Sequence, residues 1–393
     1  MISLDEITVE ELEEDPYPVY ARLRREAPVA YAPALDVWMV TRWHDVNEAC
    51  GDPERFPARV ERSPTDRALG GISMMTTDGE PAKQRRRPYD SSLRPRAVEA
   101  SMPGVFQELC RRYLDRIADH GEAELIADYF EPISLVSLAH LMGIDDLVDV
   151  PVLRRWFAGL AAGVSNYEDD PAKSRFCLDV NHEIEDVLRP RFALLMAEPD
   201  GGMLSNLLHA ASGSFDERLE WLMPSLKLVL LGGLQEPAHG GATIADCLLA
   251  HPDQLAEVRE DAALVAAAVE EGLRWTAPIG NLLRGATSAS ELSGVPIPAG
   301  DRMILIVSSA NPDGEVWGPD ADSFDIHRPK RAHLSFATGP HYCIGHHFAR
   351  VQLRVAINEL IKRFPDLRRL TDDPTVYRGH EYRSPTAVRV AVG

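Results

Sequence analysis

A chain of 393 residues, 45% of them hydrophobic, is long enough for one large domain or two ordinary ones and can bury a substantial core. Its net charge of −20 argues against non-specific binding to nucleic acid. The five cysteines (Cys50, Cys110, Cys177, Cys247 and Cys343) are scattered and form no CxxC pair, which argues against a disulfide framework or a zinc site and fits a reducing compartment. The acidic start MISLDEITVEELEEDP lacks the apolar stretch of a secretory signal. The central apolar run 226–234 carries Lys227 and two glycines and falls far short of the ~20 residues that span a bilayer. The expectation is a soluble cytoplasmic protein without a membrane segment.

In chain order, the first hundred residues mix short strand-like runs, such as 37–41, with Pro/Gly-rich turns. Helical periodicity follows at 105–118, 130–141, 147–160, 182–196, 218–249 and 254–275. The turn at 297–301 leads into a strand over 303–308, and 345–364 reads as one more amphipathic helix, with Phe348, Val351, Val355 and Ile361 roughly on one side. Alternation returns at 387–392. The pattern predicts a mainly α protein with small β-sheets and a single domain over 1–393. From His327 to Asn358 there is no acidic residue, against Arg328, Lys330, Arg331, Arg350 and Arg354. Such an island in an acidic protein suits docking of an acidic partner, or is a chance cluster on a mixed surface.

The sharpest motif is Phe336-Ala337-Thr338-Gly339-Pro340-His341-Tyr342-Cys343-Ile344-Gly345. A thiolate is a soft ligand suited to haem iron, and Cys343 stands just before a predicted helix, whose N-terminal dipole favours the deprotonated sulfur. Gly339 and Gly345 remove side chains where a flat macrocycle would approach, Phe336 can shield the sulfur, and His341 can reach a propionate. The plainer reading of a lone cysteine is a small buried hydrophobe.

This stretch resembles the haem-binding signature of cytochromes P-450, with Ala337 where a second glycine is usual. Four further features resemble that family. Glu271-Gly272-Leu273-Arg274 matches its ExxR motif, and Arg328 the third member of its buried triad. Arg284 and Arg86 match its propionate-binding arginines, while Ala82 replaces a histidine beside Arg86. Arg378-Gly379 and Arg383-Ser384-Pro385 precede the last strand, as in bacterial members. The resemblance covers essentially the whole chain and implies the cytochrome P-450 fold, haem b held by Cys343, and a monooxygenase drawing electrons from a separate ferredoxin or flavoprotein reductase, docked near Cys343.

The segment over the opposite haem face departs from the family. Gly232-Gly233-Leu234-Gln235-Glu236-Pro237 has Gln235 for the usual acid and Glu236 for the usual threonine. Pro237 cannot donate to the carbonyl of Gly233, so a kink is expected there, with Gly233 and the freed carbonyl making room over the haem. Glu236, with Gln235 beside it, is the candidate catalytic pair. A glutamate can take a proton from hydrogen peroxide and return it to the leaving oxygen, which would let the protein act as a peroxygenase. Otherwise it is a poor substitute, solvated or held in a salt bridge. His239 is expected to cap or pack.

The Gln-Glu-Pro run resembles bacterial cytochromes P-450 that O-demethylate lignin-derived methoxyphenols such as guaiacol and syringol, giving a phenol or catechol and formaldehyde. Family-matched positions expected to line the substrate pocket are Ile72, Val164, Leu228, Gly232, Gly233, Leu282, Leu283 and Tyr382, mostly apolar and suited to a small aromatic ring. Gly232 and Val164 are small enough to favour a dimethoxylated ring. Two other readings stand beside this one: a monooxygenase tailoring a terpene or polyketide, and a non-catalytic haem-binding recruitment or sensor protein.

Overall fold

The computed structural model describes residues 7–33, 35–61, 63–166 and 169–393. Helices dominate, as the periodicity predicts, and their ends follow local chemistry. The helix Val150–Val164 starts on Asp149, whose carboxylate accepts from the Val152 N–H at 3.1 Å. Phe215–Leu234 starts on a capping box: Ser214 accepts from the Glu217 N–H, and Glu217 reaches back to the Ser214 N–H at 2.7 Å. Pro171–Ala197 is 27 residues long and begins eleven residues before the run 182–196 read from the sequence, because the polar first turns after Asp170 lack a strong apolar stripe.

Two predicted helices are broken. The run 254–275 divides into Pro252–Glu260 and Val265–Trp275, with Asp261 capping a 3-10 turn between them. The run 218–249 divides at Gln235 into Phe215–Leu234 and Glu236–Ala250. Pro237 lies in the first turn of the second helix, where a missing N–H costs nothing.

A four-stranded sheet runs Val29–Ala32, Val37–Val40, Arg302–Ile306, Asn281–Gly285, with the second and third strands parallel (Trp38 opposite Met303) and the other pairs antiparallel. The strand expected to reach Ser308 ends at Ile306 and turns into the short helix Val307–Ala310. The tail strand Arg389–Ala391 pairs with Glu122–Glu124 and Arg368–Arg369. A small hairpin joins Tyr377–Arg378 to Ser384–Pro385.

The core divides into clusters that meet around the site. Helices Val150–Val164, Pro171–Ala197 and Phe215–Leu234 build the first. Helices Pro103–Ala118, Glu236–Ala250, Val265–Trp275 and His346–Arg363 build the second. Two more lie against the four-stranded sheet. Helix His346–Arg363 splits its apolar residues: Phe348 and Val351 enter the first cluster, whereas Leu353, Ile357 and Ile361 enter the second. No helix of the described residues is long and apolar enough to cross a membrane.

Candidate active site

Cys343 lies just before the helix His346–Arg363, and its N–H donates to the Phe336 carbonyl at 2.9 Å, closing the loop between them. Burial pushes its thiol up, and the Gly345 N–H and the cations Arg86 and Arg350 pull against that rise. Gly345 flanks the sulfur closely: a Cβ there would stand 3.9 Å from Sγ. The Phe336 ring is capped by the Arg350 guanidinium, 4.3 Å from its centroid. Gly339 serves a different purpose from the one expected. It has φ +69°, and a Cβ on it would meet the Cys50 carbonyl at 2.5 Å, so the close approach it permits is to the backbone at Cys50 and Gly51. Ala337 holds φ 55°, a left-handed conformation that suits glycine, so the unusual alanine sits where a Cβ is disfavoured.

Two arginines flank this loop without ion pairs among the described residues. Arg284 is 4% exposed, and its side chain donates to the adjacent Leu283 carbonyl at 2.7 Å. Arg86 donates to the Tyr342 carbonyl at 2.6 Å. Burial lowers the pKa of both. A guanidinium withdrawn from water without a carboxylate is costly, and a buried Arg284 with a half-buried Arg86 near the Cys343 thiol suits a ligand with two carboxylates and a metal centre, which is what haem presents. His341 gives Nε2 to Asp78 at 2.8 Å and leaves Nδ1 buried without a partner. Ala82 is buried and offers no polar atom. Replacing Arg284 with leucine is expected to weaken haem retention by roughly 10- to 100-fold, since a hydrogen bond to a charged group contributes about 1.5–3 kcal/mol. Haem transfer to an excess of a scavenging apoprotein checks this.

The Glu271–Arg274–Arg328 triad forms as expected. Arg274 binds Glu271 through two contacts of 2.7 Å, and Arg328 Nε reaches the same carboxylate at 3.1 Å. Arg274 also donates to the carbonyls of Ala321, Ser323 and Asn311 at 2.6, 2.9 and 3.2 Å.

Across from Cys343, Glu236 is 6% exposed, and neither carboxylate oxygen has a hydrogen-bond partner. Burial pushes its pKa up to about 8. Its charge is felt at Cys343, where it adds to the rise caused by burial, so the two groups lie near one another. Gly232, one turn earlier, is exposed with nothing within 4 Å of where its Cβ would be, and Leu228 is half-buried, so this side of the helix borders an open hollow. His239, one turn later, is kept neutral by burial, which lowers its pKa to about 4, and its Nδ1 has no partner.

Three expectations for this wall are corrected. Gln235 turns away from the hollow: its amide donates to Glu131 at 2.7 Å. Gly233 faces Leu138, 3.0 Å from where a Cβ would stand, and not the cofactor. The freed carbonyl of Gly233 accepts from the Ser134 hydroxyl at 3.4 Å. All three follow from helix Glu131–Met142, which packs behind the break.

Among the expected pocket residues, Val164, Leu228 and Tyr382 belong to or pack on the first cluster, and Tyr382 meets Phe157 edge-on at 6.0 Å. Ile72 is half-buried in the loop before helix Gly79–Arg86. Leu282 and Leu283 cannot both line the hollow, because neighbours on a strand face opposite sides. Leu282 packs on the third cluster, whereas Leu283 packs on the fourth, behind the sheet. Sequence reading missed Glu131 and Glu381. Each is a carboxylate in a run that folds inward, but neither run bears a motif. Glu381 sits beside Tyr382, pushed up to about 7 by burial against a hydrogen bond from Ser165, with Oε2 unpartnered.

The basic island is largely neutralised by acids from elsewhere in the chain. Arg328 joins the buried triad, Arg350 pairs with Glu270 at 2.6 Å, and Arg354 with Glu99 at 3.3 Å. Lys330 and Arg331 stay exposed. Reading charge along the chain could not reveal partners brought in by folding.

Comparison with known proteins agrees with this geometry. Residues 255–381 match the family model "Cytochrome P450". The mycinamicin VIII C21 methyl hydroxylase of Micromonospora griseorubida is 30% identical, covering 91% of each chain. The cytochrome P450 monooxygenase PikC of Streptomyces venezuelae is 31% identical over 90% of this chain and 85% of its own. Among solved structures, P450BioI in complex with an acyl carrier protein ligated to hexadec-9Z-enoic acid superposes with a TM-score of 0.88 at 25% identity, covering 98% of this chain and 100% of that one. The chain belongs to the cytochrome P450 family. Its cofactor is haem b, and its class is that of the haem-thiolate monooxygenases. Cys343 would hold the iron, and Arg86, Arg284 and His341 the propionate edge.

Proposed function

We propose that the protein O-demethylates a small methoxylated aromatic, a guaiacol- or syringol-like phenol, and that it can use hydrogen peroxide directly. The observation that carries the peroxide route is Glu236: a buried, unpartnered carboxyl facing Cys343 where the family usually has a hydroxyl. Haem, when bound, supplies oxygen transfer to a C–H bond. The protein's own part is to move protons and seat the ring. With its pKa pushed up to about 8, Glu236 in its ionised form can accept a proton from hydrogen peroxide and return it to the oxygen that departs as water. The balance is aryl methyl ether plus hydrogen peroxide to phenol, formaldehyde and water.

Leu228, Phe157 and Tyr382, apolar neighbours on the first cluster, with the open position at Gly232 on the same helix as Leu228, suit contact with a flat ring. When dioxygen is the oxidant, a ferredoxin or flavoprotein supplies the electrons.

The relatives favour a second reading, hydroxylation of a larger tailored scaffold, since one of them is a mycinamicin hydroxylase. A paired assay separates the two. Guaiacol and syringol are expected to shift the Soret band toward high spin and then to yield formaldehyde on addition of peroxide. A macrolide that binds and is hydroxylated, with no formaldehyde from any methoxyphenol, overturns the demethylase reading. Spectral binding without product would favour a recruitment or sensing role.

A further inference from the structure

The break at Gln235 is held from behind by one turn of a neighbouring helix. Glu131 opens helix Glu131–Met142 and is 6% exposed. Its Oε1 accepts the Gln235 amide at 2.7 Å. Arg154, on helix Val150–Val164, donates from Nε to both Glu131 oxygens at 3.0 and 3.1 Å and from Nη2 to Oε2. Three residues on from Glu131, the Ser134 hydroxyl donates to the Gly233 carbonyl at 3.4 Å. The two polar groups exposed by the break, a backbone carbonyl and a side-chain amide, are therefore both tied to the same turn. Arg154 extends the network outward to a side chain 48% exposed. Gln235 and Glu236 are adjacent, yet the first is bonded to this network and the second faces the hollow with no partner.

We infer that Glu131 is a positioning residue: backed by Arg154, it holds the Gln235 amide behind the distal wall and so keeps the neighbouring Glu236 carboxyl free in front of Cys343. A freed amide would have an obvious target. The Glu236 oxygens are one residue away and lack donors, and a donor to the carboxylate form lowers a carboxyl's pKa. The other titratable groups near Glu236 are Cys343 across the hollow and His239 one turn along its own helix. Neither changes when Glu131 is altered. The network thus sets both the direction of Glu236 and its proton affinity. The inference rests on the reading of Glu236 as a proton carrier only for its functional meaning; where the carboxyl points can be measured by itself.

The test is an infrared pH titration of the Glu236 carboxyl in the haem-loaded ferric protein, with the band assigned by its loss in Glu236→Gln. The pH profile of peroxide-supported turnover is recorded alongside. Glu131→Leu is expected to lower the Glu236 midpoint by roughly one pH unit or more, and the acid limb of the profile should move with it. Glu131→Gln, which keeps an acceptor for the amide, should leave the midpoint in place. Gln235→Leu added to Glu131→Leu should restore it, because the competing donor is gone. General loosening of the fold would not be reversed in this way. If Glu131→Leu does not accumulate as haem-loaded protein, Glu131→Met, which keeps the length of the side chain but accepts no hydrogen bond from the amide, takes its place and should shift the midpoint in the same direction. No shift in the variant that folds, or a shift that persists in the double variant, overturns the inference. A midpoint that moves as expected while Glu236→Thr leaves peroxide turnover unchanged would uphold the positioning role and reject the proton-carrier reading.

Discussion

Glu236→Gln is expected to stabilise the protein, and to do so increasingly as pH rises. The Glu236 carboxyl ordinarily titrates near 4.5 and is pushed up to about 8 in the fold. Between these values the folded chain retains a proton that the unfolded chain releases, so folding stability falls as pH climbs through the window. Below about 4.5 both states are protonated and the penalty vanishes; above about 8 it is complete. Each tenfold change in proton affinity corresponds to about 1.4 kcal/mol, which puts the full penalty at several kcal/mol. Glutamine cannot ionise, so the gap between variant and parent should open from pH 4.5 upward and level off near 8. Denaturant titrations of the haem-loaded protein across that range measure it. A gap independent of pH would mean that the carboxyl is not the buried acid described above. The same substitution should reduce peroxide-supported turnover by roughly 10²- to 10⁴-fold, the usual contribution of a general acid–base group. The residue would then cost stability and supply reactivity at one position.

Arg274→Leu should be more damaging to the fold. Arg274 is 1% exposed, shares Glu271 with Arg328, and donates to three backbone carbonyls. Removing it leaves the buried Glu271 carboxylate half-paired and strips Arg274's bonds from the carbonyls of Asn311 and Ala321, while Ser323 keeps its bond from Arg328. Breaking a buried ionic group costs about 3–5 kcal/mol, a third or more of the stability of an ordinary domain. The expected result is a lower urea midpoint and a smaller haem-loaded fraction, with spectra of the surviving protein unchanged. A variant of normal stability but altered Soret band would point instead to a role at the haem.

The parts of the site legible in the sequence are those fixed by local chemistry. Cys343 with Gly345, the Glu271–Arg274 spacing and Pro237 each state their role within a few residues. What escaped were relations between distant segments. Glu131 belongs to the distal wall only because its helix packs behind Gln235, over a hundred positions away. Gly339 looked like a concession to the macrocycle, yet the backbone it accommodates is that of Cys50. Leu283 matched the family pattern, but strand alternation turned it behind the sheet. The same limit applied to the basic island, whose Arg350 and Arg354 meet Glu270 and Glu99 only after folding.

The division at Gln235 has a mechanical side. Helix Phe215–Leu234 is rooted in the first cluster and Glu236–Ala250 in the second. The wall of the hollow is thus an articulated beam joining the two largest cores, with a single residue as its joint. A continuous helix would resist tilt between those cores along its whole length. Here any such tilt is concentrated at Gln235, next to the carboxyl that faces the sulfur.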